Sequence, residues 1–121
     1  MTEQVFKGRS EDAAAPFLGA EFWSEGRFIE GVVDRVFEVQ GRRCYALTLN
    51  HPMELDDEDV FTVSLDSTAG LKMALQAARL TALEVHDRVL LRCTGKEPSK
   101  QAGNSPRTNF EIEVRRAKAA F

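Results

Sequence analysis

The chain has 121 residues, of which 43% are hydrophobic and 29% charged, with a net charge of −3. That balance describes one ordinary domain, long enough to bury a core without help from disulfides or metal. No apolar run approaches the ~18 residues of a membrane span, and Met1–Ser10 lacks the apolar stretch of a secretory signal, so no membrane partner is expected.

Residues 1–26 read as an N-terminal extension and 27–121 as the main body. The extension is polar and alanine-rich as far as Ala13-Ala14-Ala15-Pro16, the pattern of a frayed arm or of a short helix stopped by the proline. Phe17, Leu18, Phe22 and Trp23 follow, ahead of the turn signal Ser24-Glu25-Gly26. So many large apolar groups are expected to pack on the main body, because exposed together they would be a liability.

Arg27 to Val39 reads as a long strand, apolar at Phe28, Ile29, Val32, Val33, Val36, Phe37 and Val39. The doublets Val32-Val33 and Val36-Phe37 break a strict period of two, which indicates a bulge or strong coiling, with Gly31 the natural bend. Gln40-Gly41 is a hairpin signal. Arg43–Leu49 then alternates, with Tyr45, Leu47 and Leu49 on the inward face and Cys44, Ala46 and Thr48 on the other. Residues 50–59 read as a loop holding the acidic run Glu54, Asp56, Asp57, Glu58 and Asp59. Val60–Leu65 is a third strand, with Phe61, Val63 and Leu65 expected to point inward.

Asp66, Ser67 and Thr68 are helix N-cap types, and Gly70–Leu83 has helical spacing. Its apolar arc is broad enough to need more than one neighbour to cover it, so Leu75 and Ala78 should be nearly fully buried. Arg88–Thr94 is a fourth strand, 95–109 a long loop, and Phe110–Val114 a fifth strand before the short tail Arg115–Phe121.

Three strands, a helix and two strands is the order in which this chain resembles the OB-fold (oligonucleotide/oligosaccharide-binding) family, over about residues 27–114. The features that carry the resemblance are the bent first strand with Gly31, the hairpin at Gln40-Gly41-Arg42, the helix Leu71–Leu83, and Asp87-Arg88 entering the fourth strand. It implies a mainly β, five-stranded Greek-key barrel with one helix between strands three and four. It also implies a ligand groove flanked by the loops joining strands one to two and four to five.

Specific chemistry is sparse. Residues 1–60 carry a charge of −7 and residues 61–121 a charge of +4, which marks either a basic face or only an acidic loop. Cys44 and Cys93 cannot build a disulfide framework and read as buried thiols of a reducing compartment, hence a cytoplasmic location. His51 and His86 stand apart, with no ligand spacing for a metal, so no cofactor is expected and both should be surface residues. The acidic run lacks the alternate-position spacing and turn glycine of a calcium loop.

The strongest signal is the loop 95–109, where Lys96, Lys100 and Arg107 outnumber Glu97 among polar residues such as Asn104. With Arg42 and Arg43 of the first hairpin, these are the candidate contacts to phosphates. Bases need aromatic platforms, and the outward face of strands two and three supplies none, so Trp23, Phe37 or Phe110 would have to serve. The expected function is non-enzymatic binding of single-stranded DNA or RNA with little sequence preference. The alternative is a protein-interaction or assembly module, including a homo-oligomer, without a nucleic-acid ligand.

Overall fold

The computed structural model describes residues 15–97 and 106–116, and these form five antiparallel strands and one helix. The strands are β1 (Phe28–Val39), β2 (Arg42–Leu55), β3 (Glu58–Asp66), β4 (Arg88–Glu97) and β5 (Arg107–Arg115), with α1 (Ala69–Ala77) between β3 and β4. They make one sheet in the order β3-β2-β1-β4-β5, so β3 and β5 are its two ends and are not paired with each other.

β1 is the pivot. Its first half pairs with β4 from Phe28 to Val32 and its second half with β2 from Gly31 to Val39. The extra residue implied by the apolar doublets is Asp34, which interrupts the β1–β2 register between Val33 and Arg35. Gly31 has a different task. A Cβ there would run into the Thr48 carbonyl and lie 3.1 Å from the Leu49 Cα, so glycine lets β2 cross closely at the overlap.

The hairpin at Gln40-Gly41 forms as expected, with both residues at positive φ (51° and 79°), the twist a two-residue antiparallel turn requires. Residues 50–59 are not a loop. β2 continues to Leu55, turns through Asp56 and Asp57 at φ of 50° and 65°, and returns as β3 at Glu58. Asp tolerates the left-handed region better than most residues, so an Asp-Asp pair takes the place usually held by Asn-Gly.

The helix is shorter than its apolar arc suggests. Arg79 adopts φ of 62°, and the N–H of Leu80 donates to the Leu75 carbonyl while that of Arg79 donates to the Gln76 carbonyl. This is a Schellman ending with arginine in the position glycine usually holds, and it leaves Ala78 exposed rather than buried. Leu75, by contrast, is buried as expected.

A single core gathers Ile29 and Val33 from β1, Tyr45, Leu47 and Leu49 from β2, Val63 and Leu65 from β3, Leu71 and Leu75 from α1, and Val89, Leu91 and Cys93 from β4. Phe61 departs from its alternation partners and is 59% exposed. It sits where the β2–β3 register breaks between Thr48 and Met53, and past the break the half-buried pair is Met53 and Val60. Both cysteines are free and buried. Both histidines are exposed. Among the described residues, no helix is long and apolar enough to cross a membrane.

The end of the extension straddles the gap between the sheet ends. On one side Phe17 forms a parallel bridge with Ser64, whose N–H donates to the Pro16 carbonyl and whose hydroxyl donates to the Ala15 carbonyl. At the extension's other end Gly26 donates to the Cys93 carbonyl and Cys93 donates back to Arg27, which prolongs the β1–β4 pairing. Between these anchors Trp23 is only 4% exposed, its ring edge-on to Phe22 at 4.8 Å and to Phe110 of β5 at 4.9 Å. The Arg27 guanidinium lies 3.8 Å over the Phe22 ring and closes the packet. Cys44, Ala46 and Ser64, on the outward face of β2 and β3, are buried as well, and Phe17 meets Phe37 of β1 over that face, centroids 6.2 Å apart.

The segment after α1 is pinned by Asp87. Its carboxylate accepts from the Glu84 N–H at 2.8 Å and from two guanidinium nitrogens of Arg116 at 2.9 Å each. Burial by itself raises the Asp87 pKa, but the hydrogen bonds from Arg116 and Glu84, with the Arg116 charge, outweigh it and leave it below the ordinary value.

Candidate functional site

Among the described residues, an open cleft of about 890 Å³ lies beside the gap between β3 and β5. Its walls come from four places: the extension (Phe17, Leu18, Trp23), the ends of β1 and β2 (Val39, Arg42, Cys44), the passage from β3 into α1 (Leu65, Asp66, Thr68, Gly70, Leu71), and the facing ends of β4 and β5 (Glu97, Arg107, Thr108, Phe110). The floor is apolar and the charged groups stand as two opposite-sign pairs, which is the usual make-up of a small binding site.

Local sequence explains how each wall is built. The turn at Gln40-Gly41 brings Val39 and Arg42 to one rim. Thr68 caps α1, its hydroxyl accepting from the Leu71 N–H at 3.4 Å, and this turns the chain from β3 directly into the cleft wall. Gly70 in the first helical turn permits the helix to touch the β5 backbone, because a Cβ there would run into the Thr108 carbonyl and lie 3.3 Å from the Phe110 ring.

Arg42 and Arg107, two of the candidate phosphate contacts, both line the cleft. Lys96 is exposed and reaches the same rim indirectly, its ammonium donating to the carbonyl of Ala20 at 2.8 Å. Arg43 is exposed next to Arg42 but does not line the recess. Lys100 and Asn104 lie outside the described residues. The loop that carries them is shorter than the sequence suggested, since β4 runs through Glu97 and β5 starts at Arg107.

Each lining cation has an acidic neighbour. Arg42 lies 3.1 Å from Asp66, and Arg107 pairs with Glu97 while its Nε donates to the Asn109 side chain at 3.0 Å. With side-chain exposures of 60% for Arg42 and 37% for Arg107, these pairs are solvated, of the kind worth ~0–1 kcal/mol, and can exchange partners at little cost. The sequence marks Asp66 only as an N-cap type and Glu97 only as the acidic residue of the loop, and sheet register alone brings each against its arginine.

Of the aromatic residues considered as platforms, Trp23 and Phe110 line the cleft, whereas Phe37 acts through its contact with Phe17. Phe17 itself is half exposed at the rim. Cys44 also reaches the cleft, but burial pushes its thiol up, the Asp66 carboxylate adds to this, and Arg42 only partly opposes it. Its Sγ lies 3.9 Å from the Asp66 carboxylate. Among the described residues no group of three or more His, Cys, Asp or Glu side chains could hold a metal ion. No family model matches the chain, and no curated protein or solved structure matches it.

Proposed function

We propose that this protein is a non-enzymatic, cytoplasmic binding module for single-stranded nucleic acid, with the strand lying in the cleft of an OB-like barrel. In this reading the barrel is completed by α1 and the N-terminal extension, which stand in the gap between β3 and β5. The observation that carries it is convergence: the β1–β2 turn and the facing ends of β4 and β5 meet at one aromatic-lined recess with Arg42 and Arg107 on its walls and Lys96 at its rim. Bases would rest against Phe17 and Phe110, while Arg43, Lys96 and Arg107 follow the phosphates.

The test is a fluorescence-anisotropy titration with a labelled single strand at several salt concentrations. Each phosphate contact adds about −0.7 to the slope of log affinity against log salt. Replacing Arg43, Lys96 and Arg107 together by Ala is expected to flatten that slope by roughly two units while circular dichroism stays unchanged. No binding by the unmodified protein at low salt, or a slope indifferent to the triple substitution, refutes the reading. A protein-interaction role is the second reading. Exposed Phe61, beside the half-buried Met53–Val60 pair, favours it, and light scattering over a concentration series would reveal it.

A further inference from the structure

Phosphate contacts carry no sequence information, yet one wall of the cleft offers a directional pattern of donors and acceptors. Arg42 Nη2 stands 3.1 Å from Asp66 Oδ2 and the Cys44 thiol lies 3.9 Å from Oδ1, so the pair presents the remaining guanidinium donors beside a carboxylate whose oxygens each keep a further lone pair. Both residues line the cleft together with Phe17, a half-exposed ring held by its edge contact with Phe37. The Arg107–Glu97 pair on the opposite wall is less free, since Arg107 is also bound to Asn109.

The four bases differ in the edge they would offer to such a wall. Guanine presents an acceptor, O6, followed by two donors, N1–H and the N2 amine, which is the complement of a guanidinium beside a carboxylate. Adenine and cytosine place a ring acceptor against one of the carboxylate oxygens. Thymine and uracil flank their single donor with two carbonyls, so one of these always faces the carboxylate. An acceptor-only group opposed to another acceptor is a lost hydrogen bond as well as a repulsion.

We propose that the Arg42–Asp66 end of the cleft selects guanine in a bound single strand. Asp66 accepts from N1–H and the N2 amine, Arg42 donates to O6, and Phe17 supports the ring. This rests on the nucleic-acid reading above and adds a base preference to it. A free guanine nucleotide presents the same edge, but it lacks the neighbouring phosphates that Arg43 and Lys96 would meet.

The experiment uses labelled strands of about ten nucleotides, all thymine except for one central guanine, adenine, cytosine or inosine. The guanine strand is expected to bind roughly tenfold more tightly than the others, a discrimination ordinary for a bidentate base contact. Inosine, which lacks the N2 amine, should fall between guanine and thymine. Asp66→Asn should abolish the preference, because the amide no longer offers two acceptors to N1–H and the N2 amine, and it should raise affinity for the all-thymine strand, because the carboxylate no longer opposes a thymine carbonyl. If that variant fails to fold, the inosine series probes the same contact without touching the protein. Free GMP should compete only at far higher concentration than the strand. Equal affinity for all central bases, or a preference that survives Asp66→Asn, overturns the proposal while leaving strand binding intact. Competition by GMP at concentrations equal to the strand overturns its strand-bound form. Binding to none of the strands removes the nucleic-acid reading itself.

Discussion

Gly70 puts two physical expectations in direct conflict. By helix propensity alone, Gly70→Ala should stabilise the protein, by up to about 1 kcal/mol in a helix interior. Packing demands the reverse. A Cβ at position 70 would lie 3.0 Å from the Thr108 carbonyl carbon and closer still to its oxygen, whereas carbon atoms in contact sit at about 3.5–4.0 Å. The obstacle is backbone, so no rotamer change relieves it, and either α1 or the start of β5 has to move. Overpacking of this kind costs about 1–3 kcal/mol. Moving β5 also loosens Phe110 from Trp23. A net loss of about 1 kcal/mol is expected once the propensity gain is subtracted. For 121 residues the unfolding entropy is about 0.25 kcal/mol per degree, which makes the shift roughly 4 °C. Thermal unfolding followed by circular dichroism measures it, with Gly19→Ala as the control, since a Cβ at Gly19 meets nothing within 4 Å. An unchanged or raised melting temperature for Gly70→Ala would show that the helix does not close on β5 in the way described.

Arg116→Ala leaves the Asp87 carboxylate, 1% exposed, without its cation and should cost about 3 kcal/mol at pH 7, read from urea unfolding. Because the folded Asp87 pKa lies below its unfolded value, near 3.9 for a free Asp, its contribution is complete above that pH and disappears as pH falls through the folded value. The gap between the wild type and Asp87→Asn should therefore narrow on acidification, and a gap that stays constant down to pH 2 contradicts the assignment. Trp23→Ala empties the junction between the extension and β5 and is expected to cost about 3–5 kcal/mol. A loss under ~1 kcal/mol would mean that the extension is an ornament and not part of the core.

Alternation, turn chemistry and apolar periodicity are local properties, and they were enough to indicate five strands, one helix, their order, the Gln40-Gly41 hairpin and the burial of Phe22 and Trp23. They failed where a residue took a conformation its type seldom adopts. Arg79 ends the helix in the left-handed region without a glycine to announce it, and Asp56-Asp57 makes a turn out of what reads as a charged loop. Tertiary structure alone decided the rest. Phe61 shares an alternation face with Val63 and Leu65, but the break in the β2–β3 register beside it interrupts that alternation, so Met53 and Leu55 beyond the break still pack against the core while Phe61 is exposed. Cys44, Ala46 and Ser64 belong to the outward face by parity, yet the extension pairs along the edge of β3 and its Phe17 ring meets Phe37 over that face. The cleft follows the same logic. Arg42 and Arg107 stood out as charges near turns, but their carboxylate partners Asp66 and Glu97 become neighbours only when sheet register sets distant strand ends opposite one another. Side-chain period and turn type are written within a few residues of chain. Which surfaces end up facing each other depends on strand pairing across the whole chain, and no local pattern records it.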